Sequence, residues 1–182
     1  MQLAPRWHAG GQLAYESGRR SSESDFLDRH AIADIGRGAS IGLHTELDQR
    51  VGPVPLTLLA RYRKNTDADL GSQFDLRLSA GVFKGGPVSA GVFAQSTWAD
   101  AKSARAFYAL APQESVVSGL PACQAGAGWL YAGGGLMGSI DLASHWVIVG
   151  SLEGRRLRGD AVRSPLTERT TNHYLSVGLA YQ

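Results

Sequence analysis

Several His, Asp and Glu residues are spaced closely enough to raise the question of metal binding. His44, Glu46 and Asp48 alternate along one predicted strand, so their side chains share a face. At about 3.3 Å per residue the three groups spread over roughly 13 Å and cannot all meet one ion. A polar network is therefore favoured on this face. A second set lies in an acidic loop, where solvated side chains are the simpler interpretation: Asp25, Asp28, His30 and Asp34.

Other reactive motifs are missing from the sequence. There is no nucleophile elbow, P-loop, HExxH zinc motif or pair of cysteines. The lone Cys123 excludes an intramolecular disulfide and a multi-cysteine zinc site. Arg158-Gly159-Asp160 spells a cell-adhesion tripeptide, for which chance is the better explanation. The sequence predicts no enzyme activity, no catalytic residue, no metal site and no cofactor.

A larger mixed-charge set also falls on alternate strand positions. Opposite charges at this spacing predict ion pairs across a sheet face, as in the filled interior of a small barrel. Glu16, His44 and Asp141 share that face. The predicted polar network inside the barrel consists of Glu46, Asp48, Arg61, Arg63, Asp75, Arg77, Glu153 and Arg155.

Period-two alternation recurs in segments of about ten residues separated by Gly, Pro, Asn, Asp and Ser clusters. Every second connection is short, at 49–52, at 84–87 and at Ala143-Ser144, which predicts tight hairpins. The simplest fold is one antiparallel up-and-down β-barrel domain over residues 1–182. The predicted strands lie near 6–16, 38–49, 54–63, 73–84, 87–98, 128–142, 145–156 and 173–182.

Composition narrows the class further. The 23 glycines and the low charged fraction of 19% are typical of β-rich chains. A net charge of +2 gives no basic stripe for nucleic acid. No apolar run approaches the roughly 18 residues of a membrane helix, but alternating strands can also cross a membrane.

The strands have one apolar and one polar face, and the aromatic residues indicate which face is outside. Trp7, Trp146 and Tyr181 fall at the short-turn end of the apolar face, and Tyr15, Tyr62 and Trp98 at the other end. Lipid–water interfaces favour such rings at both ends of an apolar band. From Trp7 to Tyr15 a strand tilted by about 40° covers roughly 20 Å, close to the band height of about 25 Å. We therefore expect an outer-membrane barrel with its apolar face toward lipid.

Two other interpretations stay open. A soluble, lipocalin-like ligand-binding barrel would bury the apolar face, because alternation alone does not fix the inside. If further strands widened the barrel, the polar residues would line a pore for small solutes or antibiotics.

The C-terminal half resembles the MipA/OmpV family, the MltA-interacting outer-membrane proteins. The likeness is carried by SGLPA at 118–122 with the Gly-rich strand that follows, by His145-Trp146, and by GDAVRSP at 159–165. The stretch SESDFLDRHAIADIGRGASIGLHTEL at 22–47 is also similar to the family, so the likeness covers about 160 residues.

This resemblance implies a transmembrane β-barrel in the outer membrane of a Gram-negative bacterium. Members of the family are usually longer, with a signal peptide and further strands, which implies a member that is shortened or divergent at its N-terminus. The implied role is a scaffold in peptidoglycan growth that brings together a lytic murein transglycosylase and a bifunctional murein synthase. The other implied contact is with outer-membrane lipid.

Overall fold

The computed structural model describes residues 6–16, 18–142 and 145–181. It contains eight strands, whose bounds agree with the predicted ones to within two residues. The predicted turn at Ala143-Ser144 lies outside the described residues. The strands are β1 Arg6–Glu16, β2 Gly38–Val51, β3 Val54–Asn65, β4 Ser72–Gly85, β5 Val88–Ala99, β6 Gly128–Asp141, β7 Trp146–Leu157 and β8 Thr171–Tyr181.

The strands form one curled sheet in which each strand is antiparallel to the next along the chain. Val51 pairs with Val54 around Gly52-Pro53, and Gly85 pairs with Val88 around Gly86-Pro87. Gly52 and Gly86 have positive φ, which a side chain would disfavour in such tight turns. This confirms the predicted all-β, up-and-down architecture. No helix within the described part of the chain combines the length and apolar character of a membrane span.

The two faces of the sheet are oriented as predicted. Leu43, Leu78 and Val177 on the apolar face are 69%, 50% and 75% exposed. Asp75 and Glu153 on the opposite face are only 3% and 4% exposed. The concave side of the sheet is therefore polar and its outer side is apolar. A lipocalin-like barrel requires the reverse.

Two β-bulges change the facing of individual residues. Between Thr97 and Trp98 the register with β6 skips one residue, so Trp129 lies opposite Trp98 on the outer face. Leu130, which simple alternation along β6 would place on the outer face, is instead buried against Ala99 and Ala161. A second irregularity between Gly81 and Phe83 leaves Val82 without a partner, and Phe83 takes the paired position opposite Ala90. An extra residue in a strand shifts the alternation that follows it.

The longer loops contain helices that the alternation pattern does not predict. Ser24 caps the first of them by accepting hydrogen bonds from the N–H groups of Phe26 and Leu27. A 3-10 helix over Ser21–Glu23 precedes it. The helices are α1 Asp25–Arg29, α2 Ala101–Tyr108, α3 Pro112–Ser118 and α4 Gly159–Arg163.

Close packing against β7 requires glycine at position 135 in the Gly-rich segment of β6. A β-carbon at Gly135 would lie 1.9 Å from the backbone oxygen of Leu152, and one at Gly128 would contact nothing within 4 Å. We expect Gly135→Ala to lower the free energy of unfolding by about 1 to 3 kcal/mol, because the backbone must shift. Denaturant titration in lipid vesicles measures this loss. Gly128→Ala is the matched control, and an equal effect of both variants would contradict the packing explanation.

Candidate functional site: the polar inner face and its loop cap

Asp75 lies at the centre of a charged cluster on the inner face. Register places Asp75 directly opposite Arg61 on β3 and Thr97 on β5. The Asp75 carboxylate is 2.8 Å from Nε of Arg61 and 3.4 Å from Nε of Arg63, and it accepts a hydrogen bond of 2.6 Å from the Thr97 hydroxyl. One buried anion thus holds two guanidinium groups from the neighbouring strand.

Arg77 is held by neutral partners. Its Nε and one terminal nitrogen donate to Oε1 of Gln95 at 2.9 and 2.6 Å. Its guanidinium carbon lies 4.3 Å from the ring centroid of Phe93, a cation–π contact. The Arg77 guanidinium is therefore held on the inner face by the Gln95 amide and the Phe93 ring.

Glu153 and Arg155 form a second ion pair, along one strand instead of across two. Arg155 donates to both carboxylate oxygens of Glu153, at 2.7 and 2.9 Å. Its guanidinium also lies between the rings of Tyr131 and Tyr174, at 4.8 and 4.3 Å from their centroids. Gly133 leaves the space for this pair, since a β-carbon there would approach Glu153 Oε1 to 3.1 Å.

The remaining predicted members of the network lie toward the short-turn end and are more loosely held. Asp48 accepts a 2.6 Å hydrogen bond from Thr57 and is 3.4 Å from Nε2 of His8. The Glu46 side chain makes no hydrogen bond or ion pair with the other described residues. Among the described residues, no three His, Cys, Asp or Glu side chains converge to hold a metal ion.

The loops opposite the short turns fold together over this face. We call residues 18–37, 66–71, 100–127 and 158–170 the loop cap. Leu27, Ile32 and Leu110 form its small apolar core, and Leu110 also pairs with Cys123 through backbone hydrogen bonds. Nδ1 of His30 lies 2.8 Å from the carbonyl oxygen of Ser118 and ties the first loop to the third.

Helix α2 connects the cap to the inner face. Ser103 on α2 is 3.2 Å from the amide nitrogen of Gln73. Arg19 and Ser164 donate to the last carbonyls of the helix, those of Phe107 and Tyr108, at 3.1 and 2.7 Å. Phe107 and Tyr108 border a cavity of about 240 Å³ whose other walls include the inward-facing Tyr131 and Arg155. Helix α2 therefore lies across the mouth of the inner face.

A larger cavity of about 1300 Å³ opens within the cap itself. Its walls include the apolar Ile32, Leu110 and Val117. Charged groups of both signs also line it: Arg19, Arg105, Asp34, Glu114 and Asp160. Cys123 also lines this cavity, and its thiol lies 3.5 Å from the carbonyl oxygen of Gln124.

Asp100 begins helix α2 and anchors it to β4. Its carboxylate accepts from the Ser103 backbone N–H at 2.8 Å and from the Ser72 hydroxyl at 2.7 Å. Burial acts to raise the pKa of Asp100, but the hydrogen bonds from Ser103 and Ser72 outweigh it, and the pKa lies below its ordinary value. The charged carboxylate is therefore the form that stabilises the cap.

We expect Asp100→Ala to destabilise the α2 region by about 0.5 to 2 kcal/mol, the usual cost of losing such a cap. The pKa of Asp100 is lower in the folded protein than in the unfolded chain, where an Asp has a pKa of about 3.9. The stabilisation by the charged carboxylate is therefore present above about pH 3.9 and is lost as the pH falls through the folded pKa. Amide hydrogen exchange of residues 101–108 at several pH values measures both effects. Asp69→Ala, which changes an exposed carboxylate of the cap, is the control. Unchanged α2 protection in Asp100→Ala would refute the anchoring role.

The predicted interfacial aromatics lie at the two ends of the outer face. At the short-turn end Trp146 contacts Tyr181 edge-on at 5.2 Å, and Trp7 is exposed on β1. At the cap end Tyr15 and Tyr62 are exposed, and Trp98 lies between Phe74 and Trp129, at 5.9 and 6.4 Å. The sequence does not predict Trp129 as an interfacial aromatic, because nothing in the alternation marks the bulge that turns it outward.

The adhesion-like tripeptide is engaged within the fold. The Asp160 carboxylate accepts from the Gly126 N–H at 2.8 Å and from Arg163. These two hydrogen bonds lower the pKa of Asp160. Gly159 has a positive φ, and a β-carbon there would meet the Trp129 carbonyl at 2.8 Å. The segment thus joins α4 to the loop before β6.

The charged side chains of the inner face and the cap form a structural network of ion pairs, hydrogen bonds and cation–π contacts. The functional surfaces that remain are the outer apolar face, the short turns and the cap. No curated protein and no solved structure matches the chain. A family model described as MltA-interacting protein MipA matches residues 2–182. Because this match spans essentially the whole chain, the protein belongs to the MltA-interacting protein MipA family.

Proposed function

We propose that this protein is a non-enzymatic scaffold of the outer membrane of a Gram-negative bacterium. In this role it binds a lytic murein transglycosylase and a bifunctional murein synthase during peptidoglycan growth. Family membership supports a protein of this kind, since the family is described by its interaction with MltA. The outward apolar face is the structural observation that carries the membrane placement.

That face suits a hydrocarbon environment for two reasons. In a curled sheet the backbone N–H and C=O groups form hydrogen bonds with neighbouring strands. This matters in lipid, because hydrocarbon offers these groups no hydrogen-bonding partner. Side chains such as Leu43, Leu78 and Val177 are exposed on the outside, and the charged groups pair inside. An exposed apolar surface of this extent would be a liability in water.

The short-turn end is the surface we assign to periplasmic partners. Short turns of outer-membrane barrels face the periplasm, and the longer loops face outward. The turns are tight, and Arg50 and Lys84 beside them are exposed. A scaffold at this end would offer small, rigid, cationic contact points.

The test is capture of a purified lytic murein transglycosylase by the immobilised, detergent-solubilised protein. Binding is expected to weaken in an Arg50→Glu, Lys84→Glu variant, because the turns lose their positive charge. An Arg37→Glu, Arg169→Glu variant, in which both changes lie in the cap, should bind the transglycosylase normally. Absence of capture by the unaltered protein would refute the proposed partner and leave the membrane placement standing.

A pore is the second candidate, and the openness of the sheet favours it. Within the described residues no pairing joins β1 to β8, so these eight strands leave the polar inner face open on one side. Conductance in planar bilayers is the test. Stepwise conductance that the transglycosylase does not alter would favour the pore, and silent bilayers would favour the scaffold.

A further inference from the structure

The cavity of about 240 Å³ beneath helix α2 has polar groups in its wall that the fold does not use. Four polar side chains line it without a hydrogen bond to any other described residue. They are Tyr108 of α2, Tyr131 of β6, and Asn172 and Tyr174 of β8. Three phenol hydroxyls and one amide, each able to donate and to accept, are therefore available to a ligand.

The three phenols approach one another from different elements. Burial raises the pKa of Tyr108, and the nearby phenols of Tyr174 and Tyr131 raise it further. Arg155 holds the other two rings in place, because its guanidinium lies 4.8 Å from the ring centroid of Tyr131 and 4.3 Å from that of Tyr174. Helix α2 and strands β6 and β8 thus bring their phenols to one cavity.

The charge at this cavity is already paired. Arg155 in its wall donates to both carboxylate oxygens of Glu153, at 2.7 and 2.9 Å. Gln73 is also engaged, since its amide nitrogen donates to Ser103 and its amide oxygen accepts from Arg63. A charged ligand would therefore find no free counter-charge in the described part of the wall. A neutral ligand with several hydroxyl groups matches the four unused side chains.

The remaining wall residues are apolar, and the cavity is small. Phe107, Leu130 and Leu157 complete the lining. A pyranose ring has hydroxyl groups at its edge and C–H groups on its faces, so it suits a cavity with both kinds of wall. Sites for drug-sized ligands usually have about 300 to 1,000 Å³. A volume of about 240 Å³ therefore fits a single ring better than a larger molecule.

A second cavity of about 350 Å³ gives access from the surface. It shares Tyr108, Leu157 and Asn172 with the first, so the two spaces adjoin. Its outer wall includes Glu168 and Arg169 of the loop before β8, both of which are exposed. A small solute therefore has a route between the cap and the inner face that does not require the cap to unfold.

We propose that the 240 Å³ cavity binds one neutral, hydroxyl-rich ring, a monosaccharide of the pyranose type. The hydroxyls of Tyr108, Tyr131 and Tyr174 and the amide of Asn172 hydrogen-bond the hydroxyl groups of the ring, and Phe107 covers one of its apolar faces. This function is additional to the proposed scaffold. It is independent of the murein enzymes, because the cavity lies at the cap end and the turns assigned to those enzymes lie at the other end.

Isothermal titration calorimetry of the protein in a detergent without a sugar headgroup tests the proposal. The probes are the methyl glycosides of glucose, galactose and mannose, and at least one of them should bind with a Kd of about 1 mM or lower. Tetrahydropyran-2-methanol, a pyran ring that lacks the ring hydroxyl groups, should bind at least about tenfold more weakly, because polar groups of the wall would stay unpaired. No binding of any glycoside up to about 10 mM, or equal binding of the hydroxyl-free ring, would overturn the proposal.

Two variants and one measurement on the unaltered protein locate the site. The double variant Tyr108→Phe, Tyr174→Phe loses two hydroxyls but keeps both rings, so its affinity for the glycoside should fall about tenfold. Tyr62→Phe is the matched control, since it removes a hydroxyl from the outer face, and its affinity should be unchanged. In the unaltered protein the bound glycoside should slow amide hydrogen exchange of residues 101–108. Undiminished binding by the double variant, or protection confined to other segments, would overturn the assignment to this cavity.

Discussion

Replacing Asp75 by Asn should lower the free energy of unfolding in lipid vesicles by about 3 kcal/mol. Asp75 is 3% exposed and is the shared anion for Arg61 and Arg63. Removing one partner of a buried ion pair costs about 3 to 5 kcal/mol, since the remaining charge is left without compensation. The lower end applies because the two arginine side chains remain 32% and 22% exposed. Denaturant unfolding followed by tryptophan fluorescence measures the loss.

Asp48→Asn is the matched control for this prediction. Asp48 also lies on the inner face and contacts His8 and Thr57, but its side chain is 42% exposed. Exposed pairs contribute about 0 to 1 kcal/mol, so this variant should be nearly neutral. A double-mutant cycle of Asp75→Asn with Arg61→Gln should show coupling, because the two residues interact directly. Equal losses in the two single variants would mean that burial of the anion is not what matters.

The strands could be predicted from the sequence because the two faces of the sheet have unlike environments. Apolar and polar residues therefore alternate along every strand. An outward apolar position and an inward position beside charge leave a signal in each pair of residues, such as Leu76 and Arg77. Hairpins were predictable for the same local reason, since Gly-Pro at 52–53 and 86–87 marks tight turns.

The bulges and the cap could not be predicted in the same way. A bulge is one extra residue in an unbroken pattern, and both Trp129 and Leu130 are apolar, so composition does not say which faces out. Cap contacts such as Arg19 to Phe107 join residues 88 positions apart, which no local pattern encodes. The helices did leave signals that alternation ignores: Asp100 as an N-cap, Pro112 at a first turn and Gly119 in the left-handed region after α3.

The polar network of the inner face shows both what the sequence predicts and what it does not. Arg61 meets Asp75 because register places them opposite one another, as cross-strand pairing suggests. Arg155 instead reaches Glu153 two positions away on its own strand, where the missing side chain of Gly133 leaves room. Charge type and face can be read from sequence, but the choice of partner depends on the space left by neighbouring strands.

Introducing Arg at Val92 should cost about 2 to 4 kcal/mol in lipid, the price of a cation near the bilayer midplane on the outer face of a barrel. Val92 lies in the middle of β5, between Ala80 and Leu136, and its side chain points outward. Leu76→Arg on β4 should behave in the same way, since Leu76 is also exposed on that face. Unfolding from vesicles compared with the unaltered protein gives the difference.

Val88 offers a control on the same strand, with the same residue type and the same face. It pairs with Gly85 beside the Gly86-Pro87 turn, so Arg there reaches the headgroup region and should cost only about 0 to 1 kcal/mol. In water both substitutions would fall within about 0.5 kcal/mol of neutral, because exposed positions tolerate charge. A steep difference between the two valines thus requires hydrocarbon at Val92, and equal small effects would mean that the outer face does not contact lipid.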